Sequence, residues 1–481
     1  MLDWVLPEIA LYYLGVQLYH NILIYVPHIP VQTRTEDQYS VSVLVIDALS
    51  QSNFMRSFPL TWAVLRSLQG ILFQGHNRVG HNSYPNVMAL LSGEITDGIP
   101  ERKEMYYIDL ERQPLLPSVL RQHGYLTMHM EDAQNMGDFN RAGVVGFKNP
   151  PADIYYRGPF LAIVKTMFAL LRNRLVGETD CFACIQEKMQ HKYQLPAIRD
   201  FIETYKNNPT FSFIHLVEYL HNDLNMAKHY DKDLANMIES LHNSSALKNT
   251  FFLLMGDHGY QRSDPPFIFT NQGKTEMNMP LFYLLPPSNF PARHTDKYNN
   301  LLHNSQVLTT FFDINMMMRE ILSLATNIPV SKLFPDFEGH GSSLFMALSA
   351  RTCEQAEVPE DYCSCLDGVS SLDNMADTLL RLGAALLSDI NNHLQDVSYC
   401  SELSLSRVEN GRMKKAGNLT SLTFLLYVQQ REGIFECQVK CGERHGDSCS
   451  IGLTRLDWFS KTSGCVPESM ARLEPFCICK D

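Results

Sequence analysis

The feature that most constrains this chain is a series of short apolar runs, several closed by an acid. Val41-Ser-Val-Leu-Val-Ile46 is rich in β-branched residues and nearly continuous, and Asp47 ends it. A run of this texture reads as a strand covered on both faces, because a half-exposed strand would alternate. Similar runs recur at 71–73, Leu126 to Met130, Phe211 to Val217, Thr250 to Met255 and Pro280 to Leu285. Amphipathic helical patterns fill the intervals near 59–68, 112–123, 160–173, 196–206, 228–247 and 305–323, with Pro59 suited to a first helical turn. Strands alternating with helices imply an α/β core, a mostly parallel sheet with helices on both faces. Ligands of such sheets collect at the carboxyl ends of the strands.

This core is expected over residues 40–350, after an N-terminal segment of residues 1–39. In that segment Val5 to Val26 is apolar-rich but carries Glu8 and His20, with no Lys or Arg before it. A signal peptide wants a basic start and a membrane span wants about 20 nearly uncharged residues, so neither fits. Leu11, Val16, Leu18, Ile22 and Leu23 read instead as one face of a core helix. A leader is therefore expected to be missing from this chain. Membrane association is expected only if a leader or anchor lies outside it.

Beyond residue 350 the texture changes. Of twelve cysteines, all but Cys181 and Cys184 fall there: Cys353, Cys363, Cys365, Cys400, Cys437, Cys441, Cys449, Cys465, Cys477 and Cys479. Zinc is the first alternative for Cys181-x2-Cys184, yet no second C-x2-C follows, and Cys363/Cys365 and Cys477/Cys479 are C-x-C. Dense cysteines in residues 351–481 read better as disulfides in an oxidising compartment. With a hairpin-like pair at Phe424 to Gln430 and Phe435 to Lys440, that stretch is expected to be a separate cysteine-rich α+β region. Asn243-Ser-Ser and Asn418-Leu-Thr are glycosylation sequons, and the two signals together imply a secreted, extracellular glycoprotein. The charge balance, 40 basic against 52 acidic residues for a net −12, excludes the electrostatic footprint of a nucleic-acid binder.

Chemistry is expected at the strand ends. Asp47, Glu131-Asp132 and Asp257-His258 each close an apolar run. Taken singly they are helix caps or solvated loop residues; taken together they converge on one sheet edge. Carboxylates with an imidazole there suit zinc, or manganese as the second choice. In Gly80-His-Asn-Ser-Tyr-Pro-Asn-Val-Met-Ala-Leu-Leu-Ser-Gly93, Ser83 stands just before an apolar helix. It is either an N-cap or a hydroxyl facing free backbone N–H groups that cradle an anionic substrate.

These residues carry a resemblance. The chain resembles the alkaline phosphatase–sulfatase superfamily and, more closely, the nematode- and insect-rich DUF229 family of sulfatase-like extracellular proteins. The matching blocks are Val45-Ile-Asp-Ala-Leu-Ser50 with Arg56-Ser-Phe-Pro-Leu-Thr61, then Asn82-Ser83-Tyr-Pro-Asn86 to Ser92-Gly93. They continue with His221-Asn-Asp-Leu-Asn225, Gly256-Asp-His-Gly259, Gly273-Lys-Thr-Glu-Met-Asn-Met-Pro280, Arg351-Thr-Cys-Glu-Gln-Ala356 and Asp361-Tyr-Cys-Ser-Cys365. The resemblance implies an alkaline-phosphatase-like sheet with Asp47, Asp257 and His258 as metal ligands and Ser83 at the nucleophile position. His221 is implied as a ligand on the substrate side. Asp223, Glu131 and His340 are implied as contacts to substrate or to a second metal.

The sulfatase signature C-x-P-x-R, four residues, T-G is matched in register by Ser83-Tyr-Pro85-Asn-Val87, four residues, Ser92-Gly93. Serine replaces the modifiable cysteine and Val87 replaces the arginine, which disfavours sulfate ester hydrolysis. The expected activity is hydrolysis or transfer of phosphate esters (mono- or diesters) by a metal-activated Ser83. The alternative is a non-catalytic secreted glycoprotein that keeps the fold, with Asn222 standing where the family usually has Asp.

Overall fold

The computed structural model describes residues 8–13, 16–22, 25–96, 106–110, 115–133, 137–140, 144–157, 184–185, 188–217, 220–221, 223–261, 271–335, 337, 339–364, 369–372, 375–395, 397–416, 419–442, 449–455, 462–467, 473 and 476–480. Asn418, Cys181, Cys365 and the helical pattern at 160–173 lie outside the described residues. The chain forms two compact units, residues 1–260 with 276–364 and residues 261–275 with 365–481.

The first unit is built on a seven-stranded sheet. Its order is Ile71–Leu72, Phe282–Leu285, Thr250–Met255, Ser40–Ile46, Thr210–Leu216, Leu126–Glu131 and Ile154–Tyr156. The last five run parallel, and the first two are antiparallel additions at one edge. Burial explains the unbroken apolar runs. Val41, Val43 and Val45 pack with Phe211, Phe213, Phe251, Leu253 and Met255 on one face. Leu44, Ile46, Ile214, Leu216, Phe252 and Leu254 point to the other, and all are buried. Each such side chain contributes about 1.5–3 kcal/mol by leaving water. Flanking helices include Ser83–Leu91, Leu116–Gln122, His191–Thr204, Asp231–Asn243 and Phe311–Thr326.

Two expectations are corrected here. Residues 8–22 form an antiparallel hairpin, Glu8–Tyr13 with Val16–Ile22, rather than a core helix. Tyr12, Tyr13, Val16, Tyr19 and Ile22 are strand formers, and a two-residue connection is the length that hairpins favour. The first unit also extends to residue 364. Cys353, Ala356 and Val358 join its apolar core, Arg351 pairs with Asp313, and Cys353 is bridged to Cys363.

The second unit carries a five-stranded antiparallel sheet: Val369–Ser371, Leu405–Ala416, Leu419–Val428, Ile434–Gly442 and Cys449–Arg455. Helix Ala376–Leu394 lays Leu379, Leu386, Leu387, Ile390 and Leu394 into the same core as Phe424, Leu426 and Phe435. Disulfides join Cys400 to Cys477 and Cys465 to Cys479. Cys441 is also disulfide-bonded and stands opposite Cys449 in the ladder. Cys437 departs from the expected pairing. It is a buried free thiol on the core face of its strand, and burial pushes its pKa up to about 12.

Candidate metal centre

The parallel strands deliver two acids and a histidine to one edge. Asp47 follows the Ser40–Ile46 strand directly, its backbone N–H donating to Leu216 O on the neighbouring strand. Asp257 follows the Thr250–Met255 strand after Gly256. A side chain at Gly256 would place its Cβ 2.0 Å from the Leu49 carbonyl oxygen, so glycine lets the two strand-end loops touch. Ala48, between Asp47 and Leu49, sits at φ 57, a strained conformation for alanine. That strain turns the Ala48 N–H onto Asp257 Oδ1 at 2.9 Å, and the His258 N–H bonds the same oxygen at 2.8 Å. One oxygen of Asp257 is thereby locked by backbone, which aims the other.

His258 Nδ1 lies 2.8 Å from Gly259 O. A carbonyl only accepts, so the proton is on Nδ1 and Nε2 presents a lone pair. That Nε2 is 3.3 Å from Asp257 Oδ2, 3.7 Å from Asp47 Oδ1 and 3.4 Å from Ser83 Oγ. Both oxygens of Asp47 and Oδ2 of Asp257 are buried without any hydrogen-bond partner. One donor atom from each of Asp47, Asp257 and His258 lies within 4.8 Å of the others. Buried carboxylate oxygens without donors cost several kcal/mol unless a cation meets them. Two carboxylates, a fixed imidazole lone pair and a hydroxyl fit a divalent cation of the zinc or manganese kind.

Electrostatics agree with that donor set. Burial, then the charge of Asp257, pushes the Asp47 carboxyl well above its usual range. Asp257 is also pushed up by burial, but His258 and His215 outweigh this and hold it below. Burial, opposed by the charge of Asp257, lowers the His258 imidazole, and the nearby Arg78 cation adds to the lowering. Arg78 was not singled out from the sequence. Arg78 is 1% exposed, and its guanidinium bonds Asn278 Oδ1 and His81 O at 2.8 Å each and stacks on Tyr362.

Ser83 is not the helix cap. Asn82 takes the N-cap position, and Ser83 is the first residue of the Ser83–Leu91 helix. Its hydroxyl is therefore not spent on capping, and it stands at the positive end of the helix dipole. The approach loop is held by Asn86, whose Oδ1 accepts from Val79 and Gly80 N–H and whose Nδ2 donates to Gly80 and Asn82 carbonyls.

The remaining sequence candidates are placed as follows. Glu131 groups with Asp138 and His215 in a second buried cluster. Those two partners were missed because His215 sits inside an apolar strand and Asp138 in an unremarkable loop. The one available signal was an ionisable residue within a run of core character. Among the described residues, His221, Asp223 and His340 belong to neither group. His221 lies on the turn after Val217, to whose carbonyl its N–H donates at 3.4 Å. Asp223 is exposed and caps the short Leu224–His229 helix. His340 pairs with Glu357 at 2.8 Å. Asn243 is exposed at the end of the Asp231–Asn243 helix. The grouping of Cys465, Cys477 and Cys479 is accounted for by disulfides.

The family model described as "Protein of unknown function (DUF229)" matches residues 15–409. The chain belongs to that family. No curated protein matches the chain by sequence. Similar solved structures include an alkaline phosphatase superfamily protein from Vibrio parahaemolyticus, at 10% identity and TM-score 0.41, covering 92% of this chain and 85% of that one. Phosphonate monoester hydrolase from Silicibacter pomeroyi is similar at 13% identity and TM-score 0.41, covering 82% and 90%. The C-terminal periplasmic domain of EcEptC from Escherichia coli is similar at 14% identity and TM-score 0.38, covering 70% and 100%.

Proposed function

We propose that this chain is a metal-dependent hydrolase or transferase of phosphate esters, with Ser83 as nucleophile. One observation carries the reading: the unpartnered oxygens of Asp47 and Asp257 and the Nε2 lone pair of His258 converge beside Ser83 Oγ. Asp47, Asp257 and His258 would hold a divalent cation, zinc before manganese. When bound, the cation supplies Lewis acidity, stabilising negative charge on the hydroxyl and phosphoryl oxygens. Ser83 Oγ is the attacking atom, fixed at a helix N-terminus whose free N–H groups favour an anionic group. Asn86 and the Gly80–Asn82 loop hold that oxygen in register. Val87 is a 1% exposed core residue, so the position aligned with the sulfatase arginine brings no cation to a sulfate group.

A secreted location belongs to the same proposal. The disulfides and the exposed sequon at Asn243 support it. No helix among the described residues is long and apolar enough to cross a membrane. The partner is a phosphate-ester-bearing substrate; nucleic acid does not suit a chain of net charge −12. The test is turnover of a chromogenic phosphodiester by protein of measured metal content, with and without Ser83→Ala. Turnover lost in the variant with metal retained supports the enzyme. Full metal content without turnover in the wild type supports the non-catalytic glycoprotein instead.

A further inference from the structure

Close to the first centre lies a buried cation that the proposed chemistry does not use. Arg78 is the largest fully buried side chain among the described residues. Its guanidinium is clamped on three sides. Nε donates to Asn278 Oδ1 and Nη1 to His81 O, and its face lies 4.6 Å from the centre of the Tyr362 ring. Asn77 ties this platform together, its Nδ2 donating to Tyr362 O at 2.7 Å and to Arg78 O at 2.8 Å. Asn278 and Tyr362 belong to the sequence blocks at 273–280 and 361–365, to which no role has yet fallen.

These partners are all neutral, and they leave the cation unfinished. A guanidinium carries five N–H bonds and two are used here, so three meet no acceptor among the described residues. No carboxylate among those residues forms an ion pair with it either. Burial lowers its pKa to about 10, so it stays charged at neutral pH, and the carboxylate whose charge reaches it is Asp257. A metal ion at Asp47, Asp257 and His258 would claim that charge. An unpaired charge in a dry interior is costly until an anion meets it. Position says which anion. His81, whose carbonyl accepts from Nη1, lies two residues before Ser83. His258, whose Nε2 is 3.4 Å from Ser83 Oγ, feels the charge of Arg78.

We propose that Arg78 is the cationic contact for the substrate's phosphoryl group, its spare N–H groups donating to an oxygen on the phosphorus that Ser83 attacks. A planar guanidinium fork suits a tetrahedral oxyanion, and its charge-assisted bonds are roughly twice as strong as neutral ones. Asn278, His81 and Tyr362 fix the fork before substrate arrives, so it needs no reorganisation as negative charge builds on those oxygens. The proposal rests on the reading of Ser83 and the metal centre, and the experiment separates the two.

Zinc-loaded protein of measured metal content is titrated with inorganic phosphate by calorimetry, as wild type, Arg78→Gln and Arg78→Lys. Arg78→Gln should bind phosphate about 10- to 100-fold more weakly at unchanged metal content, the loss of a hydrogen bond to a charged group. Arg78→Lys keeps the charge without the fork, so it should lose less. Equal phosphate affinity in wild type and Arg78→Gln would overturn the contact, and turnover still dependent on Ser83 would leave the reading of the centre intact. A fall in Arg78→Lys as large as in Arg78→Gln would assign the loss to disturbed packing and overturn it too. Metal-loaded wild type that binds no phosphate overturns the contact, and if it also lacks turnover the reading beneath falls with it. Should the variants fail to fold, wild-type zinc-loaded crystals soaked in phosphate decide. A phosphate oxygen within hydrogen-bond reach of the Arg78 guanidinium supports the contact, and a site without one overturns it.

Discussion

Replacing Asn86 by alanine isolates how the loop before Ser83 is held. Asn86 is 0% exposed and makes four hydrogen bonds, all to backbone. Oδ1 accepts from Val79 N at 2.8 Å and Gly80 N at 3.0 Å, and Nδ2 donates to Gly80 O at 3.1 Å and Asn82 O at 2.9 Å. Each bond is worth about 1 kcal/mol net, and a buried group left unpaired costs about 1–3 kcal/mol. A loss of about 4 kcal/mol is expected, reduced to about 3 if water enters the vacated space. Asn86→Asp keeps the shape and both accepting interactions but turns a carboxylate oxygen onto the Gly80 and Asn82 carbonyls in a dry interior, so at least as large a loss is expected. The assay is urea unfolding, where the midpoint should fall with an unchanged denaturant slope. Turnover should fall further than stability explains, because displacing Ser83 by about 1 Å costs on the order of 100-fold. An Asn86→Ala protein within about 1 kcal/mol of wild type and equally active would refute this account of the loop.

Two other outcomes follow from packing and burial. Gly256→Ala puts a Cβ 2.0 Å from Leu49 O, a backbone atom that cannot swing aside, so the Asp257 loop must shift. Bound metal should be lost before the fold is, as read by metal analysis beside circular dichroism. Cys437, pushed up to about 12 by burial, favours the thiol when folded, so its contribution to stability is full below the unfolded thiol range of about 8.5. It fades as pH rises toward 12. Between pH 8 and 10.5 wild type should lose up to about 2.7 kcal/mol more than Cys437→Ala, by denaturant titration. Equal losses would show that the thiol titrates normally.

Much of this architecture is legible in the sequence because the central strands are covered on both faces, which writes unbroken apolar runs. Residues 154–156 escape because three residues carry no pattern, although they complete the sheet. The hairpin at 8–22 reads as a helix because apolar and polar residues alternate imperfectly, and spacing alone does not separate the two periods. The site divides similarly. Asp47, Asp257 and His258 stand where strands stop, a position that sequence marks. Asp138 and His215 become neighbours only through pairing of the Thr210–Leu216 and Leu126–Glu131 strands, a contact between residues 77 apart. Strand texture favours pairing in general and says nothing of register.

The central claim is that Asp47, Asp257 and His258 hold a cation beside Ser83. Anomalous scattering from crystals of zinc-loaded protein, collected on both sides of the zinc edge, tests it most directly. The account predicts a peak about 2.0–2.2 Å from a carboxylate oxygen of Asp47, Asp257 Oδ2 and His258 Nε2, with Ser83 Oγ adjacent. Crystals of protein carrying stoichiometric zinc, with no peak among those three side chains, would contradict it.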